Sequence, residues 1–308
     1  MFLPQYVIVE LKKKYKDSSI KTIDNNIKRI FNNNQYDKNL FNDYEKIHKF
    51  MELIGKTSVK KSLINNIVVV CGIEEINNDK YKELFKLYAK EHDNEYKYNS
   101  KYICKNVPNL EFFKERSEML KNSKKQNLYI ISCLYTYLPA LRGEEFYKTK
   151  IGIQLNENYL DIDRWVLVVQ DYKTVKKYGV REIKIPLVLQ NILKEYCKTR
   201  IGKYLISIDD EGNKKIGNTL MVKYLHIIFG DKISVDVIRK IFITEVIHYL
   251  EKYPFDEKIK YRKRMAYLMG HDISTQEFIY SNLRIACSNF NYSGDERMNE
   301  VVQLIIQI

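Results

Sequence analysis

Cysteine is scarce and scattered. The five residues Cys71, Cys104, Cys133, Cys197 and Cys287 stand far apart, with no C-x-x-C pair and no histidine beside them at zinc-ligand spacing. This argues against a disulfide framework or a structural zinc, and reads as reduced, mostly buried thiols in an intracellular protein. Long hydrophobic runs are missing as well. Residues 63–73 are too short to span a membrane and contain two asparagines. Residues 1–11 lead straight into a lysine run without a small-residue cleavage site, so no signal peptide is expected. No carboxylate cluster has metal-ligand spacing, and there are no internal repeats or low-complexity tracts. Neither a metal nor a cofactor is expected, and no membrane partner.

What is present is a length of 308 residues, 45% hydrophobic and 13% aromatic, which is a globular composition sufficient for two cored domains. The formal charge is +13, and the pI is near 9.2. Such a balance suits a polyanionic partner, because basic surfaces recruit phosphate backbones through counterion release. A composition rich in Lys, Asn and Tyr, of the kind an AT-biased genome produces, accounts for part of that excess.

The first hundred residues read as helices. Residues 6–15 form a short one ending in lysines, and Ser18-Ser19 caps a second with Ile20, Ile23, Ile27 and Ile30 at helical spacing. Further helices are expected over 44–54, from 57 through 70, and from 81 to 89. The polar passage 90–105, followed by Pro108, reads as the connection between domains, giving a helical domain over 1–105 and a second over 106–308. In the second domain 110–120 and 126–138 read as helices, the latter ended by Pro139. Residues 165–170 and 180–185 form a hairpin tipped by Lys173, Lys176 and Lys177. Helices are expected over 187–200, 218–229, 234–250 and 256–268, with a short strand at 205–208. The fold class is therefore mainly α with a small β-hairpin or sheet: an N-terminal helical domain and a C-terminal α+β domain.

Five features of the second domain come in a fixed order. Leu141-Arg142-Gly143-Glu144-Glu145 places an arginine at the end of a buried helix with a carboxylate, Glu145, three residues on. Lys173 closely follows the first hairpin strand, Arg239 lies on a helix opened by Ser234, and Gly270-His271 makes a corner. Tyr280 comes nine residues after that histidine, with a helix start at Ser274-Thr275 between them. Of the 25 tyrosines, only Tyr280 combines that spacing with that helix start; Tyr261, Tyr267 and Tyr292 lie nearby without it.

In this set the chain resembles the tyrosine recombinase (phage integrase) family, with type IB topoisomerases as mechanistic relatives. The motifs cover the C-terminal two thirds; the N-terminal bundle is similar in architecture alone. The resemblance implies a DNA core-binding domain, a catalytic domain, and cutting and rejoining of double-stranded DNA through a 3′-phosphotyrosyl intermediate. Tyr280 would be the nucleophile, Arg142 and Arg239 would clamp the phosphorane oxygens, and Lys173 would protonate the leaving 5′ oxygen. His271 would donate to the phosphate or manage the tyrosine proton. Three residues before Arg239, where the family has histidine or lysine, this chain has Asp236, and Lys232 is a candidate for the missing donor. Lys176 and Lys177 share the hairpin with Lys173. The apolar segment 297–308 needs a groove; the resemblance implies docking on a neighbouring protomer in a DNA-bound homo-tetramer, with docking on its own domain as the alternative. A relaxing topoisomerase and a non-catalytic DNA-binding relative are the competing readings.

Overall fold

The computed structural model describes residues 1–306 except 33, 107, 124, 199, 201, 210 and 287–291; side chains are described outside 96–106, 280–286, 295 and 297. The chain divides into two compact units, Met1–Asn99 and Ser100–Ile308.

The first unit is helical: α1 (Gln5–Lys12), α2 (Asp17–Ile30), α3 (Tyr44–Glu52), α4 (Thr57–Ile73) and the first part of α5 (Asp79–Asn106). The i, i+3, i+7 isoleucines of α2 turn one face inward, where Ile20, Ile23 and Ile27 pack with Val7, Leu11, Leu63, Ile67 and Val70. Asp24 on the same helix is buried because its carboxylate accepts from the backbone N–H of Phe2 at 2.8 Å and of Leu3 at 2.7 Å, tying down the start of the chain. The polar passage 90–105, expected as a connection, is instead a continuation of α5. Polarity does not end a helix. Between 79 and 106 there is neither glycine nor proline, and the many Lys and Glu residues keep the helix going.

The second unit continues with α6 (Leu110–Leu120), α7 (Gln126–Tyr137) and α8 (Gly143–Tyr147). Four strands follow, β1 (Lys150–Ile151), β2 (Tyr159–Asp161), β3 (Val166–Val169) and β4 (Arg181–Lys184), with a helical turn α9 (Val175–Tyr178) between the last two. The sheet order is β1-β2-β3-β4, parallel in its first pair and antiparallel in the others, with Val169 opposite Arg181. Then come α10 (Leu187–Lys198), α11 (Asn218–Phe229), α12 (Val235–Leu250), α13 (Phe255–Met269), α14 (Ile273–Ala286) and α15 (Asp295–Ile306). The protein is thus mainly α-helical with a small mixed sheet, as expected. The short strand expected at 205–208 is reduced to one isolated bridge, Ser207 with Lys215, beside another between Lys150 and Tyr204.

The core of this unit is built on α7 and α12, both buried nearly all round. α12 carries Ile238, Ile241, Phe242, Val246 and Leu250 into it. α15 closes the unit: Met298, Val301, Val302 and Ile305 are buried where it packs on α12 and α13 of the same chain. The terminal apolar stripe therefore finds its groove at home. These contacts are those of the alternative expectation, docking on its own domain.

Candidate anion-binding site

α13 ends in a left-handed corner. Gly270 has φ +64° and ψ 45°, and its N–H donates to the Tyr267 carbonyl while that of His271 reaches back to Ala266. This is a Schellman-type stop, and a glycine suits its left-handed residue. Ending a helix leaves its final carbonyls without intrahelical donors, at the negative end of the helix dipole. Here three arginines from three other elements take three successive carbonyls. Arg181 from β4 donates to Leu268 at 2.5 Å, Arg239 from α12 to Met269 at 3.2 Å, and Arg142 from the start of α8 to Gly270 at 3.3 Å. Thr174 adds its hydroxyl to the Gly270 carbonyl at 3.1 Å.

Around this corner lies a cavity of about 400 Å³. Arg142, Arg239, Gly270 and His271 line it, together with Thr174, Lys177, Tyr178, Asp236, Asp272, Thr275 and Ile279. A larger cavity of about 520 Å³ between α6–α7 and α10 holds one lysine, Lys121, and one glutamate, Glu195, among apolar and amide groups. Clustered cations, not volume, single out the smaller one.

The charges are arranged so that each carboxylate near the cavity has its own cation. Asp236 pairs with the buried Lys240 one turn along α12 at 2.8 Å. Asp272 accepts from Lys177 at 2.7 Å and from the Tyr178 hydroxyl at 2.8 Å, and both contacts hold its carboxyl below the usual range. Glu145, fully buried, accepts from Arg181 at 2.8 Å and from the backbone N–H of Arg142 at 2.9 Å. Asp236, which departs from the resemblance, lines the cavity with its carboxylate turned to Lys240. Lys232, the suggested substitute donor, is exposed and is not among the cavity-lining residues.

His271 is 7% exposed, and its Nδ1 lies 3.1 Å from Arg239 Nη2. Guanidinium nitrogens only donate, so Nδ1 must accept and the proton of the neutral ring sits on Nε2. Burial, reinforced by Arg239 and Arg142, lowers the imidazole pKa to about 3, so the neutral form holds at physiological pH. Nε2 is buried without a hydrogen-bond partner among the described residues, a donor that a ligand oxygen would satisfy. Burial also lowers Arg239 to about 10, which leaves it charged at neutral pH.

Of the expected residues, Arg142, Arg239 and His271 converge on one cavity, Glu145 supports them from beneath and Asp236 lies on the rim. Lys173 is exposed and does not line the cavity, whereas Lys177 does, because α9 turns the hairpin tip back towards Asp272. Tyr280 lies on α14, one residue after the cavity-lining Ile279; its side chain is outside the described residues. Arg181 was not anticipated. It lies on the inner face of β4, where Arg181 and Ile183 point inward while Glu182 and Lys184 face out.

Among the described residues no group of His, Cys, Asp and Glu is placed to hold a metal ion, and no helix is long and apolar enough to cross a membrane. The thiols of Cys71 and Cys133 are buried and pushed up to about 12, which makes them unreactive. No protein-family model and no curated protein matches the chain. Among solved structures the chain is similar to the crystal structure of XerA recombinase, at 13% identity over 91% of this chain and 94% of that one, with a TM-score of 0.42. The reading of the cavity rests on its own geometry.

Proposed function

We propose that the second unit is a DNA strand-transfer centre that cuts and rejoins a phosphodiester through Tyr280, as a site-specific recombinase or integrase does. The observation that carries this is the convergence of two guanidiniums, Arg142 and Arg239, with the unpartnered Nε2–H of a neutral His271. Together they provide forked donors and one neutral donor, the set a pentacoordinate phosphorane needs for its extra charge.

Magnitudes favour a phosphate here. A guanidinium about 4 Å from a phosphate charge contributes on the order of 4 kcal/mol at an effective dielectric near 20, against about 1 in open water. The Lys177–Asp272 pair beside it is exposed on both sides, so solvent screens it. In the reaction the Tyr280 hydroxyl loses its proton to solvent, its oxygen attacks phosphorus, the P–O5′ bond breaks, and the leaving oxygen takes a proton from a hairpin lysine. The phosphotyrosyl ester conserves the energy of the broken bond, so rejoining is the same step in reverse. Lys173 was the sequence choice for the acid; Lys177 is the lysine at the cavity, and we assign it the role.

The test is a nicked DNA substrate that traps the covalent intermediate. Tyr280→Phe is expected to abolish the protein–DNA adduct; a persisting adduct would remove Tyr280 from the role. Lys177→Ala is expected to slow cleavage about a hundredfold or more, the usual weight of a general acid, and Lys173→Ala to leave it near wild type. A 5′-bridging sulfur, which leaves without a proton, should restore cleavage in the variant that lacks the acid. Rescue of Lys173→Ala instead would return the role to Lys173.

A further inference from the structure

Arg181 is 0% exposed, does not line the cavity, and nevertheless spends a guanidinium on the residues that build it. Its Nη1 holds the Leu268 carbonyl, its Nη2 holds Glu145, and its face lies 3.9 Å from the centroid of the Tyr172 ring. The corner rests directly on it: a Cβ at Gly270 would stand 3.2 Å from Arg181 Cζ. Yet Arg181 Nε is buried without a partner. A fully buried ion pair with one donor unsatisfied is a poor device for stability alone. Its value has to be sought in what it does for its neighbours.

Glu145 is where that shows. Its Oε1 is shared unequally, 2.8 Å from Arg181 and 3.5 Å from Arg142. Arg142 is the partner with access to the cavity, its side chain 26% exposed. We propose that Arg181 is a positioning residue of the anion cavity: by taking up the charge of Glu145 it leaves the Arg142 guanidinium free to hold a phosphate. Asp236 is matched by Lys240 and Asp272 by Lys177. With Glu145 matched by Arg181, the cavity keeps the full charge of both Arg142 and Arg239. Removing the Arg181 charge leaves Glu145 with Arg142 as its nearest cation, and the guanidinium is drawn off the cavity wall into a closed pair. The identity of the ligand as a phosphodiester rests on the proposed function; the competition for Glu145 does not.

The experiment titrates the full-length chain with inorganic phosphate at low ionic strength by calorimetry, with folding followed by circular dichroism. Arg142→Ala identifies the binding as that of the cavity. Arg181→Met is expected to weaken phosphate roughly tenfold or more, the equivalent of one lost charged hydrogen bond. Arg181→Lys keeps the charge, and Arg181→Met with Glu145→Gln removes both charges; each is expected within about threefold of wild type. A purely structural role would not be repaired by the second substitution. If Arg181→Met alone does not fold, the double variant, which buries no unpaired carboxylate, carries the test. A folded Arg181→Met that binds like wild type, a double variant as weak as Arg142→Ala, or wild type without Arg142-dependent binding overturns the inference. An absent Tyr280 adduct with these affinities intact removes the strand-transfer reading and leaves Arg181 in its role.

Discussion

At His271, burial and two neighbouring guanidiniums hold the imidazole neutral down to a pH of about 3. In the unfolded chain the same group titrates near 6.5. The folded pKa is depressed, so the unfolded state takes up a proton that the native state refuses. The associated stability is fully present above pH 6.5 and is lost as pH falls from there towards 3, at up to about 1.4 kcal/mol per pH unit. His271→Gln is expected to remove that part of the slope, read by denaturant titration at a series of pH values; an unchanged slope would show that the imidazole is not the group responsible. Arg142, Glu145, Arg239 and His271 were legible in sequence because each stands at a recognisable break, a helix end, a capped helix start or a glycine corner. Arg181 was not singled out, since a lone arginine in an alternating strand looks like surface until its partner across 36 residues, Glu145, is known. The placement of Lys177 rather than Lys173 at the cavity likewise depended on a four-residue helical turn too short to carry a periodic signal.

The helices read over 126–138, 218–229, 234–250 and 256–268 came out as α7, α11, α12 and α13 within a residue of those bounds, and the isoleucine-spaced segment came out as α2. Those that differ were judged on polarity. α5 runs through a charged passage because nothing in it breaks a helix, and the 205–208 segment has one isolated bridge, Ser207 with Lys215. For α15 the need for a groove was readable and the owner of the groove was not, since an apolar stripe does not specify whether its complement is on the same chain. The structure makes the contact intramolecular. Ile305→Ala, at a position 2% exposed, should therefore cost about 2–5 kcal/mol. The melting temperature of wild type should not vary with protein concentration. A melting temperature that climbs with concentration would indicate that the helix docks between chains.

Over the whole molecule, charge is the property that decides encounter with a partner. A formal +13 spread over both units predicts DNA binding dominated by counterion release. With roughly six phosphates neutralised, raising salt from about 50 to 200 mM should weaken binding about a thousandfold. A filter-binding or anisotropy series checks this, and an affinity indifferent to salt would sink the polyanion reading. The cavity's uncompensated pair, Arg142 and Arg239, is a small share of that excess, so salt dependence reports the surface while the phosphate titration reports the site.

The three arginines on successive carbonyls also set an order of events in time. Each contact spans a long stretch of chain: 128 residues from Arg142 to Gly270, 87 from Arg181 to Leu268, 30 from Arg239 to Met269. Contacts of such reach close long loops, which costs more chain entropy than forming a local helix. A chain still emerging from the ribosome, made only as far as α12, already carries all three arginines but has no corner for them to grip. The cavity draws its walls from residues 142 to 279, so it is complete only when most of the second unit has been made.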